Sequence, residues 1–276
     1  MLAPRAAMIP VHDPADPRLG LFRAPPPHTF LVESELAVQR LLASDYTALA
    51  VLGTPPHLQR LQRPPPTCPV YAGDHALLRA VIGFDLHRGL IACAARPRIL
   101  TGELPASTCP IHPVAGDLAT LLARPAWTLL LVQGLADPAN LGSILRSARA
   151  FAVDLVVLDR RGADPLERRA IRAAMGHVFA QPLAVAADLP HAVHHLRERG
   201  AAVWAATLGP RARDVAAVRR PPRLVLCVGN EGVGLPPAVC DAADLEVTIP
   251  ISPEVDSLGV AAATAVLLHA LRGPAA

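Results

Sequence analysis

WTLLLVQGLADPANLGSILRSARAFAVDLVVLD, residues 127–159, decides the fold class. WTLLLV (127–132) is a short, continuously apolar run, and so is the core of VDLVVLD (153–159). Between them LGSILRSARAF places Leu141, Ile144, Leu145 and Ala148 at helical spacing. A strand that is apolar on both sides, followed by a helix and a second such strand, is the unit of a parallel sheet covered on both faces. The pattern continues through AAVWAAT (201–207), RLVLCVG (223–229) and LEVTIP (245–250), with helix-like PLERRAIRAAM, LPHAVHHLRERG and SLGVAAATAVLLHAL in the gaps. The second half of the chain therefore reads as a doubly wound α/β domain, whose ligands sit at the carboxyl ends of the strands.

Upstream the pattern is looser. Residues 1–29 are rich in Pro and Arg without periodicity and read as an N-terminal arm. From 30 to 105, FLVESELAVQRLLAS suggests a helix with Leu36, Val38, Leu41 and Leu42 on one broad apolar face, and TALAVLG, HALLRAVIG and GLIACAA suggest strand, helix and strand of a smaller α/β domain. The stretch 106–125 has clustered prolines and no strand pattern, so it reads as a linker to a domain spanning 126–276.

Composition narrows the function classes. Of 276 residues, 52% are hydrophobic but only 3% aromatic, so the core is built from Ala, Val and Leu, and helices are favoured over a β-sandwich. The net charge is +3 with every basic residue an Arg, too little to announce nucleic-acid binding on its own. No apolar run reaches the roughly 18–20 residues that cross a bilayer, and the first 20 residues lack a signal-peptide core, so a soluble cytoplasmic protein is expected. The five cysteines are scattered without a Cys-x-x-Cys, and read as small core residues. His191, His194 and His195 lack acidic or Cys partners at ligand spacing, so no metal is expected.

Three strand ends carry unusual residues. After 127–132 comes GLADPANLGSILRSARAF (134–151), where Asn140 is placed to cap a helix and Arg146 follows in a crowded, partly exposed setting. After 223–229 comes CVGNEGVGLP (227–236), whose Gly229, Gly232 and Gly234 let backbone groups reach a ligand, with Asn230 and Glu231 at the apex. Neither Gly-x-Gly-x-x-Gly nor Gly-Lys-Ser/Thr is present, which disfavours a dinucleotide oxidoreductase or a triphosphatase. Last comes TIPISPEVDSLGVAAATAVLLHAL (248–271), with Asp256 or Ser257 as the expected cap of a helix apolar all round. Such a helix is buried either in the core or against another subunit.

In this order, at successive strand ends, these three stretches resemble the motifs of the SpoU/TrmH family of RNA methyltransferases, within the SPOUT class; residues 30–105 are similar to the small L30e-like RNA-binding domain that many members carry. The resemblance implies a parallel α/β sheet whose C-terminal segment threads a trefoil knot, S-adenosyl-L-methionine as cofactor, a homodimer, and methylation of a ribose 2′-hydroxyl in tRNA or rRNA. By motif position it implies cofactor contacts at Gly229, Ile249 and Leu258, with Thr207 a further candidate. It implies a reaction site of Asn140, Arg146, Glu231 and Ser257, and an RNA phosphate contact at Arg172. Because a guanidinium is effectively never deprotonated, Arg146 is expected to stabilise a developing ribose alkoxide rather than act as a base, with Glu231 orienting it. The family's third motif usually reads Ser-Leu-Asn; here it is Ser257-Leu258-Gly259, which removes an amide from the site and leaves a catalytically weak or inactive RNA-binding protein as the alternative.

Overall fold

The computed structural model describes residues 7–61, 67–83, 89–101, 109 and 111–272. The chain divides into two compact units, Met1–Pro97 with Leu166–Ala180, and Arg98–Pro165 with Gln181–Ala276.

The first unit has a five-stranded mixed sheet of β1 (Met8–Pro10), β2 (Thr29–Glu33), β3 (Ala48–Gly53), β4 (Val70–Ala72) and β5 (Leu90–Ala95), in the order β1-β4-β3-β5-β2. β1, β4 and β3 run parallel, while β5 is antiparallel to both β3 and β2. The part of the expected arm that is described is integrated: Met8–Pro10 is the edge strand, and Val11, Leu19 and Phe22 are core. FLVESELAVQRLLAS splits into a strand and a helix, because Ser34 ends β2 and caps Glu35–Leu42 through a bond from the Ala37 N–H. Of the four residues expected on its apolar face, Val38 and Leu41 are buried, Leu42 is partly buried, and Leu36 is exposed, because the helix starts only at Glu35 and turns that position outward.

Leu166–Ala180 was expected to serve the second domain's sheet, and its helix Arg168–Ala173 instead belongs with the first unit. Phe179 packs on Phe30 and Tyr46, with ring centroids 6.0 and 5.4 Å away. Arg40 donates to the Met175 carbonyl, and Arg168 pairs with Glu33. Gly176 sits at φ +78°, where a Cβ would come within 2.8 Å of the Ala37 Cα; a glycine is needed for that approach.

The second unit holds an eight-stranded sheet of β6 (Ile111–Pro113), β7 (Trp127–Val132), β8 (Leu155–Leu158), β9 (Leu183–Ala186), β10 (Ala202–Ala206), β11 (Arg213–Asp214), β12 (Arg223–Val228) and β13 (Leu245–Thr248). Their order is β11-β13-β10-β12-β7-β8-β9-β6, parallel throughout except for β6. The stretch read as a linker contributes β6 and the helix Leu118–Ala123, whose Leu118 and Leu122 join the core. Leu129, Leu130 and Leu131 are fully buried, as strands covered on both faces require. Leu189–Glu198 and Pro237–Ala242 pack on one another, and Pro138–Ala150 packs against the last helix, Val260–Ala270. That last helix buries Thr264, Leu267 and Leu268 and leaves Ala262 and Val266 exposed, so the described residues cover only part of it. From β7 the chain winds outward to β8 and β9, then returns to the other side of the sheet, with β12 beside β7. Loops leaving the carboxyl ends at such a reversal diverge and leave a crevice.

Candidate active site

A cavity of about 740 Å³ lies in the second unit. It is lined by the loop after β10, the loop after β12, the end of β13 and the approach to the last helix. Its size is that of a small-molecule site, roughly 300–1,000 Å³. Thr207, Gly229, Glu231, Ile249, Ser257 and Leu258 all line it. Asn140, Arg146 and Arg172 do not, though Asn140 reaches it through a neighbour.

The loop after β12 owes its shape to two residues. Gly229 lies against the returning chain: a Cβ there would stand 2.4 Å from the Gly234 carbonyl carbon and 2.6 Å from the Leu235 nitrogen. Asn230 ties the loop together, its Oδ1 accepting from the Gly232 and Val233 N–H groups at 2.8 and 3.2 Å. Its Nδ2 donates to the Gly134 carbonyl at 2.7 Å, which fixes this loop to the one after β7. That second loop is held from β8, since Asp159 accepts from the N–H groups of Gly134 and Gly162, each at 3.0 Å. Gly134 takes φ +63° in this turn.

The first two motifs also meet through side chains. Asn140 Nδ2 donates to Glu231 Oε1 at 2.7 Å. The expected Glu231–Arg146 ion pair is not formed; Glu231 is engaged by Asn140 instead, and Arg146 is exposed rather than half-covered. Nor does Asn140 cap its helix. Pro138 at the first helical position fixes Asp137 as the cap, which accepts from the Ala139 N–H at 3.1 Å. At the third motif Gly259, not Asp256 or Ser257, occupies the cap position, and no side chain bonds the helix start. Asp256 and Ser257 are exposed to the cavity they line.

A third cluster was not anticipated. Glu246, in the middle of β13, lines the cavity with its side chain only 12% exposed. Thr207 Oγ1 donates to its Oε2 at 3.0 Å, and Arg211 Nη2 approaches its Oε1 at 2.7 Å. The available signal was the one charged residue inside the strand-like run LEVTIP. The lining thus carries three carboxylates, Glu231, Glu246 and Asp256, against the one guanidinium of Arg211. Such a wall favours a ligand with a net positive charge.

Other sequence expectations resolve more simply. Arg172 is exposed on the helix Arg168–Ala173, in the first unit. Arg220 is a structural clamp: it donates to the Pro221 carbonyl and to Thr128 Oγ1 at 2.9 and 2.7 Å. That places it at the amino ends of β7 and β12, away from the cavity. Burial pushes the Cys227 thiol up to about 12 and the Cys68 thiol up to about 11, as for inert core residues. Among the described residues, no three His, Cys, Asp or Glu side chains group as a metal site would need, and no helix is long and apolar enough to cross a membrane.

A model of the SpoU rRNA methylase family matches residues 128–269. An uncharacterized tRNA/rRNA methyltransferase of Mycobacterium tuberculosis is 37% identical over 94% of this chain and 90% of its own. A 23S rRNA guanosine 2′-O-methyltransferase of Bacillus subtilis is 35% identical over 52% of this chain and 58% of its own. Among solved structures, an AdoMet-bound rRNA methyltransferase from Sinorhizobium meliloti superposes with a TM-score of 0.76, at 22% identity, over 96% of this chain and 97% of that one.

Proposed function

Since the chain belongs to the SpoU rRNA methylase family, we propose that it is an S-adenosyl-L-methionine-dependent methyltransferase acting on the ribose 2′-hydroxyl of a tRNA or rRNA nucleotide. The observation that carries the reading is the convergence of the 207–211, 229–235 and 246–258 stretches on one cavity. The residues present fit the cofactor. Three carboxylates and one guanidinium suit a ligand that bears a sulfonium, an ammonium and a single carboxylate. The Gly229 crossing brings backbone rather than side chain to the wall, where amide groups can bond an adenine edge.

Bound S-adenosylmethionine supplies a methyl group already activated on a sulfonium. What remains for the chain is alignment and stabilisation of the ribose oxygen. Glu231 lines the cavity and accepts from Asn140, so the first motif's helix and the cavity wall keep a fixed relation. Arg146, two turns along that helix from Pro138 and free of bonds to described residues, is available to donate to a ribose oxygen or its flanking phosphate. Ser257 offers a hydroxyl at the cavity, and Gly229, Ile249, Leu258 and Thr207 form the cofactor's bed. Arg172, Arg160 and Arg161, all exposed, are assigned to RNA phosphates.

The finer expectations belong to the same reading: an L30e-like RNA-binding role for the first unit, a trefoil-knotted C-terminal segment, a homodimer and a cytoplasmic site of action. For the dimer, Val266 is 43% exposed and Leu258 37%, apolar surface that a second copy would cover. A second reading, a protein that binds RNA but turns over weakly, draws on Gly259, where the family's amide is missing. Mapping 2′-O-methyl positions in total RNA from cells with and without this protein tests the proposal. One or more sites lost with the protein support it; an unchanged map together with retained RNA binding favours the second reading.

A further inference from the structure

We infer that Glu246 is the acceptor for the adenosyl ribose hydroxyls, with Thr207 and Arg211 holding its carboxylate in place; the inference rests on the cofactor reading above. Glu246 is out of keeping with its strand. β13 lies between β10 and β11, Val247 beside it is fully buried, and Glu246 pairs in register with Ala205. A carboxylate in such a place is costly to bury unless its lone pairs are used. An ionised carboxylate offers about four acceptor sites. Thr207 and Arg211 occupy one on each oxygen, at 3.0 and 2.7 Å, which leaves one on each. Glu246 lines the cavity, and its side chain keeps 12% of its exposure. Two open acceptors on adjacent oxygens match two donors on adjacent atoms, and a vicinal diol provides them. A carboxylate bonding a ribose hydroxyl is the solution that dinucleotide sites reach on a different loop.

The neighbouring charge discriminates between parts of the ligand. Arg211 already sits on Glu246, so a second cation there meets repulsion, whereas neutral hydroxyls do not. Glu231 and Asp256 line the same cavity with no cationic partner among the described residues, and they suit the sulfonium and ammonium better. Glu246, Thr207 and Arg211 are therefore positioning and specificity residues that orient the cofactor from its ribose.

The test is isothermal titration of the full chain with S-adenosylmethionine, S-adenosylhomocysteine, and the 2′-deoxy and 3′-deoxy adenosyl forms of the latter. Each missing hydroxyl should weaken binding to the native protein by about ten- to a hundredfold, the range for a bond to a charged acceptor. E246Q should bind S-adenosylhomocysteine at least about tenfold more weakly and should lose most of its discrimination against the deoxy forms. Thr207→Val should give a smaller loss of the same kind, which a merely structural role would not produce. Native protein that binds the deoxy forms as tightly as S-adenosylhomocysteine overturns the inference, even if the variants fail to fold. Discrimination that persists in folded E246Q overturns the assignment to Glu246 alone. Native protein that binds neither S-adenosylmethionine nor S-adenosylhomocysteine overturns the cofactor reading, and this inference with it.

Discussion

Replacing Gly229 with alanine is the sharpest test of the loop after β12, because its consequence follows from distances. The added Cβ would stand 2.4 Å from the Gly234 carbonyl carbon, 2.5 Å from its oxygen and 2.6 Å from the Leu235 nitrogen, where ordinary contact begins at 3.4 Å. All three atoms are backbone, so the returning chain has to retreat by about 1 Å rather than let a side chain swing aside. That chain is held by the Gly234 N–H on the Asn230 carbonyl at 3.0 Å and by the Asn230 side chain on Gly232 and Val233. A displacement of about 1 Å takes such bonds out of range, and overpacking of this kind costs about 1–3 kcal/mol. At about 2–4 °C per kcal/mol for a domain of this size, the melting temperature should fall by roughly 4–8 °C for a loss near 2 kcal/mol. Because the same loop is a wall of the cavity, S-adenosylmethionine affinity should fall by at least about tenfold, a loss of 1.4 kcal/mol. Calorimetric melting and isothermal titration read the two effects separately. If Gly229→Ala melts within about 1 °C of the native protein and binds the cofactor within about twofold, this loop neither packs nor functions as described.

Arg146→Ala should leave the melting temperature and cofactor affinity nearly unchanged, since the side chain is exposed, but reduce methyl transfer to RNA by about 10²–10³-fold, measured with radiolabelled cofactor. Undiminished turnover removes Arg146 from the reaction. Gly259 has φ −58°, and nothing lies within 4 Å of a Cβ there, so Gly259→Asn should fold normally, gain a few tenths of a kcal/mol as a cap, and raise turnover. A rate no higher than native shows that the missing amide is not what limits this protein. With its pKa pushed up to about 12, the Cys227 thiol is neutral at pH 7–8, so iodoacetamide should leave it unlabelled in the native state and react after denaturation; prompt labelling, read by mass spectrometry, would contradict its burial.

The sequence was most informative where burial is two-sided. Leu129–Leu131, Val156–Val157 and Leu224–Cys227 are fully or almost fully buried, and such strands leave uninterrupted apolar runs that can be read without their partners. Edge strands carry no such record. β6 has three residues with Pro113 at its end, and β11 has two, so each exists only because a partner strand offers a ladder, to β9 and to β13. Residues 106–125 were accordingly read as a linker. Leu166–Ala180 failed for a different reason: its helix was legible, but Phe179 finds Phe30 and Tyr46, over 130 residues away in sequence, and no local spacing encodes that choice.

At the site, residues whose role follows from backbone geometry were readable, and those whose role follows from a partner were not. Gly229 is needed where two stretches of chain cross, and a glycine after an apolar strand announces such a place. Asparagine before an apolar helix usually caps it, and that is the role the sequence suggests for Asn140. Asp137 stands one residue before Pro138, however, and Pro at the first helical position makes its predecessor the cap. With the helix start already satisfied, the Asn140 amide is free to donate across to Glu231. The same substitution of partners explains why Arg146 has no Glu231 to orient it: the carboxylate is already engaged, and the guanidinium is left exposed at the surface. An arginine that no described residue holds has to be ordered by what it binds. Its contribution should therefore emerge with RNA present and be nearly silent in the free protein, which is the separation that the Arg146→Ala measurements of stability and turnover are built to detect.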